Sequence, residues 1–406
     1  MMLTSDPVII EKVLSSPELL EKAKTIYQPI YKALKGGLIA IPVKDWHHNR
    51  KLLNPSFNHK VLISFLPIFH KAKKQLLSKF DALVGTGEHN LYQLIQQSQL
   101  GISIETTMGK IMQENDEVDI DLGKQFTFLM GAVVNHVILT FLQLQWIFFF
   151  YQRYHKTKNY LHNFVNELIM NKLQSMHERE NNGDPATTLK TAEPEDSVLS
   201  IKKTPNIFID QAILFYEKRQ LTLNDVIAES NTFIAASFET AANAIFSILI
   251  MLAMHPEVQE KCYEEIVGVF PEMDFQMEFE HMQQLPYLEM VINETLRLTP
   301  SVPLIARQVV KDTQLTKDIL LPKDLQIMIS IFHLHRSTDV WGPDADKFNP
   351  DHFLPANLAG KHSHAFMPFS KGARSCIGWR YALFVMNVLL AGLIRNFKFT
   401  TTFKFE

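Results

Sequence analysis

The grouping with the most evident chemistry is Phe369-Ser370-Lys371-Gly372-Ala373-Arg374-Ser375-Cys376-Ile377-Gly378, which sets one of only two cysteines between two glycines, an arginine and an aromatic ring. A thiolate bound to haem iron pushes electron density toward dioxygen and favours O–O cleavage. Such a ligand has to be deprotonated, shielded from water and held by close backbone approach. Gly372 and Gly378 permit that approach. Arg374 can neutralise a haem propionate, and Phe369 can cover the sulfur face of the ring. Taken alone, Cys376 fits a buried cysteine in a glycine-rich loop equally well. The ten-residue pattern as a whole favours the iron ligand.

Two further pairs have helical spacing. Trp46 and Arg50 are four residues apart, so on a helix an indole N–H and a guanidinium share one face and can bind the same carboxylate. A core tryptophan beside a solvated arginine gives the same pattern. Glu294 and Arg297 are three apart in Glu294-Thr295-Leu296-Arg297 and face the same way, as a solvated ion pair also would.

Together these segments resemble the cytochrome P450 family, and the stretches Ser15-Ser16-Pro17-Glu18-Leu19-Leu20 and Asn54-Pro55-Ser56-Phe57 are similar to insect members of its family-4 clan. The cysteine loop matches F-x-x-G-x-R-x-C-x-G at every fixed position, and Glu294 to Arg297 matches the E-x-x-R helix. Phe348-Asn349-Pro350-Asp351-His352-Phe353 resembles the segment that follows. The resemblance implies a mainly α fold with small β-sheets, with residues 1–406 as a single haem-thiolate monooxygenase domain. It also implies that the fold is incomplete at its N- and C-termini, since the start carries no anchor helix and little follows the last helix. The implied cofactor is haem b with Cys376 as axial thiolate, and Trp46, Arg50, Arg307 and Arg374 match propionate contacts.

The same resemblance bears on oxygen chemistry. Ala235-Ala236-Ser237-Phe238-Glu239-Thr240 is similar to the family's oxygen-activating segment, in which an acid beside a hydroxyl relays protons through water. Glu239 and Thr240 are the candidates, although a surface glutamate beside a threonine bonded to its own backbone fits as well. Ser237 stands where the family prefers glycine. Ala236 stands where many family-4 members have a glutamate that esterifies haem, so the haem is expected to be non-covalent. His352 replaces an arginine and is expected beside Glu294, offering fewer donors.

The implied activity is insertion of one oxygen atom from O2 into an apolar small molecule, with electrons from NADPH-cytochrome P450 reductase at the cytosolic face of the endoplasmic reticulum membrane. His47, His48, Arg50, Lys51, Lys371 and Arg380 would suit an acidic flavoprotein, and equally an ordinary basic surface. A catalytically impaired haem-binding protein and a peroxide-using haem-thiolate enzyme are the alternatives.

The composition is consistent with a large core. A hydrophobic share of 46%, 29 phenylalanines and a net charge of −3 in 406 residues exclude a disordered or strongly basic chain, and nucleic-acid binding has no support. With Cys376 assigned to iron, Cys262 is left single, so no disulfide framework is possible and a reducing, cytosol-facing setting is favoured.

The elements that must position these residues are partly readable. Leu221-Thr222-Leu223-Asn224-Asp225 opens a long apolar helix through Met254 that ends at His255-Pro256. Tyr287 to Leu298 fits a helix stopped before Pro300, and Leu325 to Ile331 has strand alternation. Between Phe126 and Tyr151 no residue is charged, yet Thr127, Asn135, His136, Thr140, Gln143 and Gln145 interrupt the run. The resemblance places the run on internal helices, and a loop dipping into a membrane surface fits it better than a span. About 178–206 the composition turns to charges, Asn, Gly, Pro and Thr, as in an exposed connection.

Overall fold

The computed structural model describes residues 1–112, 117–181 and 206–404, so the connection expected over 178–206 lies almost wholly outside the described residues. The helices are α1 (Pro7–Ser15), α2 (Lys24–Leu34), α3 (Val43–Leu53), α4 (His59–Ser64), α5 (Leu66–Asp81), α6 (Tyr92–Met108), α7 (Glu117–Phe141) and α8 (Gln152–Asn181). They continue as α9 (Phe208–Glu217), α10 (Leu223–Met254), α11 (Pro256–Val269), α12 (Pro286–Leu298), α13 (Ile331–Leu334), α14 (Thr338–Trp341), α15 (Pro355–Leu358) and α16 (Trp379–Asn396). The strands are β1 (Met2–Thr4), β2 (Leu304–Gln308), β3 (Thr313–Thr316), β4 (Ile319–Leu321) and β5 (Gln326–Ser330). The fold is therefore mainly α with small sheets, as the resemblance implied. α10 and α12 begin within two residues of the expected positions, and Pro256 opens α11 directly after the break.

The chain forms two compact units. The first comprises Met1–Ile26, Leu66–Ile102 and Ser237–Glu406, and the second comprises Tyr27–Phe65 and Ser103–Ala236. In the first, β5 lies between β1, to which it is parallel, and β2, to which it is antiparallel. Alternation along β5 turns Ile327 and Ile329 onto Ile10, Val13, Leu14 and Met367. α1 is set against this core with its start fixed in the usual way, Asp6 accepting from the Val8 and Ile9 amides at 2.8 and 3.0 Å with Pro7 at the first turn. α16 is buried over most of its length and packs on α5, where a Cβ at Gly392 would meet Lys73 Cδ at 2.6 Å. That close approach lets the buried Lys73 ammonium reach the Phe275 carbonyl.

In the second unit α7 and α8 pack along each other, and the His136 ring stacks on Phe148 at 4.2 Å. The charge-free run thus folds as α7 and the short 3₁₀ turn Gln145–Phe150. Trp146, Phe149 and Phe150 on that turn are 61%, 78% and 69% exposed. By length and composition alone, the stretch 121–141 of α7 and all of α10 could cross a membrane, but α10 is largely buried in the protein.

Glu294 and Arg297 on α12 are fully buried and paired twice, Nε to Oε2 and Nη2 to Oε1, both at 2.7 Å. Arg297 Nη1 also donates to the carbonyls of His335 at 2.7 Å and Ala345 at 2.5 Å, and Nη2 to that of Lys347 at 3.1 Å. His352 Nδ1 lies 3.0 Å from Glu294 Oε1, in the place expected for it, and the Asn349 amide donates to the same oxygen at 2.8 Å. Burial alone would push the Glu294 carboxyl up. The hydrogen bonds from Arg297 and His352, the Arg297 charge and the Asn349 amide outweigh it and hold the carboxyl below its ordinary 4.5.

A carboxylate whose folded pKa is lowered contributes stability that is fully present above its unfolded value and is lost as pH falls through the folded one. Glu294→Gln should therefore remove an acid-side dependence below pH 4.5 in unfolding experiments. It should also cost about 3–5 kcal/mol at neutral pH, because Arg297 keeps a buried, half-compensated charge. His352→Arg brings a donor fork to the same oxygen and should raise the unfolding midpoint. A lower midpoint would show that the imidazole fits better beside Arg297.

Candidate functional site

The cysteine loop is closed by its own backbone. The Cys376 amide donates to the Phe369 carbonyl at 2.9 Å, Ser375 to Gly372 at 3.0 Å and Ser370 to Met367 at 3.0 Å. Gly372 has φ +76°, and a Cβ there would lie 2.3 Å from the Leu14 carbonyl oxygen at the end of α1, so only glycine fits. Gly378 lies at the start of the next helix. Its φ of −95° is open to any residue, and it serves as the residue before α16. The N-terminus of α16 places partial positive charge close behind Cys376, which suits an anionic sulfur. Cys376 is exposed and thus accessible to a metal, whereas Cys262 is buried in α11 and its thiol is pushed up by burial and by Glu265.

Around this loop the first unit gathers cations. Arg374 is buried and its Nε donates to the Leu20 carbonyl at 3.2 Å. Arg307 on β2 is buried as well, with Nη1 bonded to the Ala306 carbonyl at 3.0 Å. Lys22, which the sequence reading did not single out, joins them. Burial first, then the charges of Arg307 and Arg374, hold its pKa well below the usual lysine value. The backbone beside it is fixed through Leu20 to Arg374 and through Glu21 to the Gln308 amide at 2.8 Å. Two guanidiniums that depress a buried lysine make a cluster suited to an anionic group, and the carboxylates of haem are of the right chemistry. The donor set and the glycine cradle therefore fit the group.

In the first unit Glu239 is held by α6. Tyr92 Oη donates to Oε1 and Gln96 Nε2 to Oε2, each at 2.9 Å, and the two residues stand one turn apart. Burial, followed by the Glu239 charge, raises the Tyr92 phenol, so it stays a donor. The Thr240 carbonyl accepts from Ser301 Oγ at 3.0 Å. Spacing in the sequence gave no sign of either partner, since each is more than 60 residues away.

In the second unit Trp46 is buried and Arg50 partly buried on one face of α3, as the spacing required. Between them Asn49 donates from Nδ2 to Glu229 Oε1 at 2.9 Å, and the Leu38 amide donates to Oε2 at 2.8 Å. Gly37, with φ +79°, lies so close to α10 that a Cβ would meet Thr232 Oγ1 at 1.9 Å. Glu229 thus fixes the helix that carries Trp46 and Arg50. It is 0% exposed, and burial pushes its carboxyl up to about 7 against the two hydrogen bonds, with Asp225 adding to the rise. The sequence offered only a glutamate in an apolar helix, and its partners are far off in the chain.

A carboxyl whose folded pKa is raised costs stability that grows as pH climbs from the unfolded value through the folded one. Between pH 4.5 and about 7 the protein should therefore lose on the order of 3 kcal/mol through Glu229. Glu229→Gln should abolish that component of the slope in denaturant unfolding across the window. An unchanged slope would locate the titration elsewhere.

The sequence model of the cytochrome P450 family matches residues 1–404. A protein named probable cytochrome P450 313a4 of Drosophila melanogaster is 37% identical over 411 residues, covering 100% of this chain and 80% of that protein. Probable cytochrome P450 4ac1 of the same fly is 33% identical over 395 residues, 97% of this chain and 74% of its own. Cytochrome P450 4c21 of Blattella germanica is 31% identical over 406 residues, 99% and 78% of the two chains. The motifs agree with that coverage from end to end, and the chain belongs to the cytochrome P450 family, haem-thiolate monooxygenases that bind haem b through a cysteine.

Proposed function

We propose that this chain inserts one oxygen atom from O2 into an apolar small molecule, using electrons from NADPH-cytochrome P450 reductase at the cytosolic face of the endoplasmic reticulum membrane. The observation that carries the reading is the closed cysteine loop, with an accessible Cys376 and buried Arg374 and Arg307 in the same unit. Haem, when bound, supplies the iron on which dioxygen is activated. Cys376 would hold that iron through its thiolate. Arg374, Arg307, Trp46 and Arg50 would take the propionates, and Phe369 would cover the sulfur side.

Glu239 and Thr240 are assigned to proton delivery. Tyr92 and Gln96 keep both Glu239 oxygens in fixed directions, so the carboxylate is oriented for a relay of protons through water together with the Thr240 hydroxyl. The exposed ring set Trp146, Phe149 and Phe150 supports membrane association, since aromatic side chains favour the interface. Lys51 on α3, beside the exposed His47 and His48, and Arg380 on α16 are each exposed cations of the kind an acidic reductase would meet.

Reductase-dependent NADPH oxidation with formation of a hydroxylated product tests the activity. Consumption without product from any apolar substrate would favour a haem-binding protein without turnover. In the reduced, carbon-monoxide-bound protein Cys376→Ser should abolish the thiolate spectrum and Cys262→Ser should leave it intact. A normal spectrum from the Cys376 variant would overturn the ligand assignment. Because Ala236 has no carboxylate, acidic organic solvent should extract all the haem from the denatured chain, and haem retained on the polypeptide would contradict this.

A further inference from the structure

We propose that Glu11, His362 and His364 form a binding site for one divalent transition-metal ion of the zinc class, joining α1 to the segment that leads into the cysteine loop. One ligand atom from each residue lies within 4.8 Å of the other two, and all three residues belong to the first unit. His362 Nε2 is 3.2 Å from Glu11 Oε2, and His364 Nδ1 is 4.0 Å from Glu11 Oε1. Zinc binds imidazole nitrogen and carboxylate oxygen at about 2.0–2.2 Å, which puts neighbouring ligands of a tetrahedral ion roughly 3.4 Å apart. The first pair already has that spacing. The second needs a small side-chain movement, and water completes the shell because Glu11 is 45% exposed.

An ordinary surface ion pair accounts for Glu11 and His362, and the Ser363 hydroxyl lies 3.1 Å from His364 Nδ1. At 4.0 Å that nitrogen is too far from Glu11 for a hydrogen bond, though it faces the same carboxylate. Two imidazoles with one carboxylate suit zinc, nickel or copper, and not magnesium or calcium, which prefer oxygen.

Three features oppose binding, the first being that ligation takes His364 Nδ1 from the Ser363 hydroxyl. The His364 amide donates to His362 Nδ1 at 3.1 Å, so ligation through Nε2 requires the other tautomer and gives up that bond, a loss of about 1 kcal/mol. Lys371 is the nearby cation, and its ammonium is held by the Ser363 carbonyl. That same contact connects the site to the loop, as does the approach of Leu14 on α1 to Gly372.

The test uses the haem-loaded full chain, freed of any affinity tag and stripped with a chelator. Zn2+ is titrated by calorimetry and thermal unfolding is followed with and without it, with Mg2+ as control. One equivalent of Zn2+ should bind and raise the unfolding midpoint, and Mg2+ should do neither. Glu11→Gln, His362→Ala and His364→Phe should each weaken that equivalent about tenfold or more, with the metal-free midpoint of Glu11→Gln unchanged. Absence of a stoichiometric zinc equivalent in the parent protein, or equal affinity in all three variants, overturns the site. A variant that unfolds without metal is set aside for the other two, either of which decides the question.

Discussion

The arrangement of the first unit depends on one buried guanidinium. Arg297 neutralises Glu294 and spends its remaining donors on the carbonyls of His335, Ala345 and Lys347, which come from a stretch otherwise short of regular structure. Those carbonyls would be expensive to bury unpaired. His335 extends the network. It is fully buried, and burial pushes its imidazole down to about 3, so its Nε2 is a permanent acceptor for the Met367 amide at 3.0 Å. Met367 in turn accepts from Ser370 and begins the turn that ends at Cys376. The carboxylate of α12 thus reaches the sulfur loop through hydrogen bonds alone.

The second constraint is crowding of like charge. The charges of Arg307 and Arg374 both depress Lys22, so the cluster favours an anion. A site of this kind stabilises the loaded protein more than the empty one, because the ligand's charge is compensated in advance. Gly372 acts on the same loop by sterics. With a Cβ at that position the loop could not lie against α1.

What the sequence made legible follows from distance along the chain. The cysteine loop, the Glu294–Arg297 pair and the Trp46–Arg50 face are local patterns, and the structure reproduces each one. His352 was placed correctly beside Glu294 because the resemblance gave the position of the missing arginine. Lys22, Glu229, Tyr92 and Gln96 were invisible, since each acts on a residue far away in sequence and none lies in a short motif. A glycine in a pattern does not reveal whether its φ is positive, and at Gly378 it is not, whereas at Gly372 it is.

α10 shows how the same helix can satisfy a hydropathy test and still belong to a core. It carries Glu229, Ser230, Asn231 and Thr232 in succession, all buried, which a lipid-facing segment could not tolerate without partners. Each has one. Ser230 and Asn231 donate back to the carbonyls of Val226 and Ile227 at 2.7 and 2.8 Å, and Thr232 reaches the Gly36 carbonyl at 3.3 Å. Glu229 takes both of its donors from outside the helix, the Leu38 amide and Asn49 on α3. A single change at Glu229 therefore loosens two segments at once, whereas a change at Ser230 or Asn231 disturbs only the helix itself. The polar residues that a membrane reading treats as interruptions are here the contacts that set the position of α3, and with it Trp46 and Arg50.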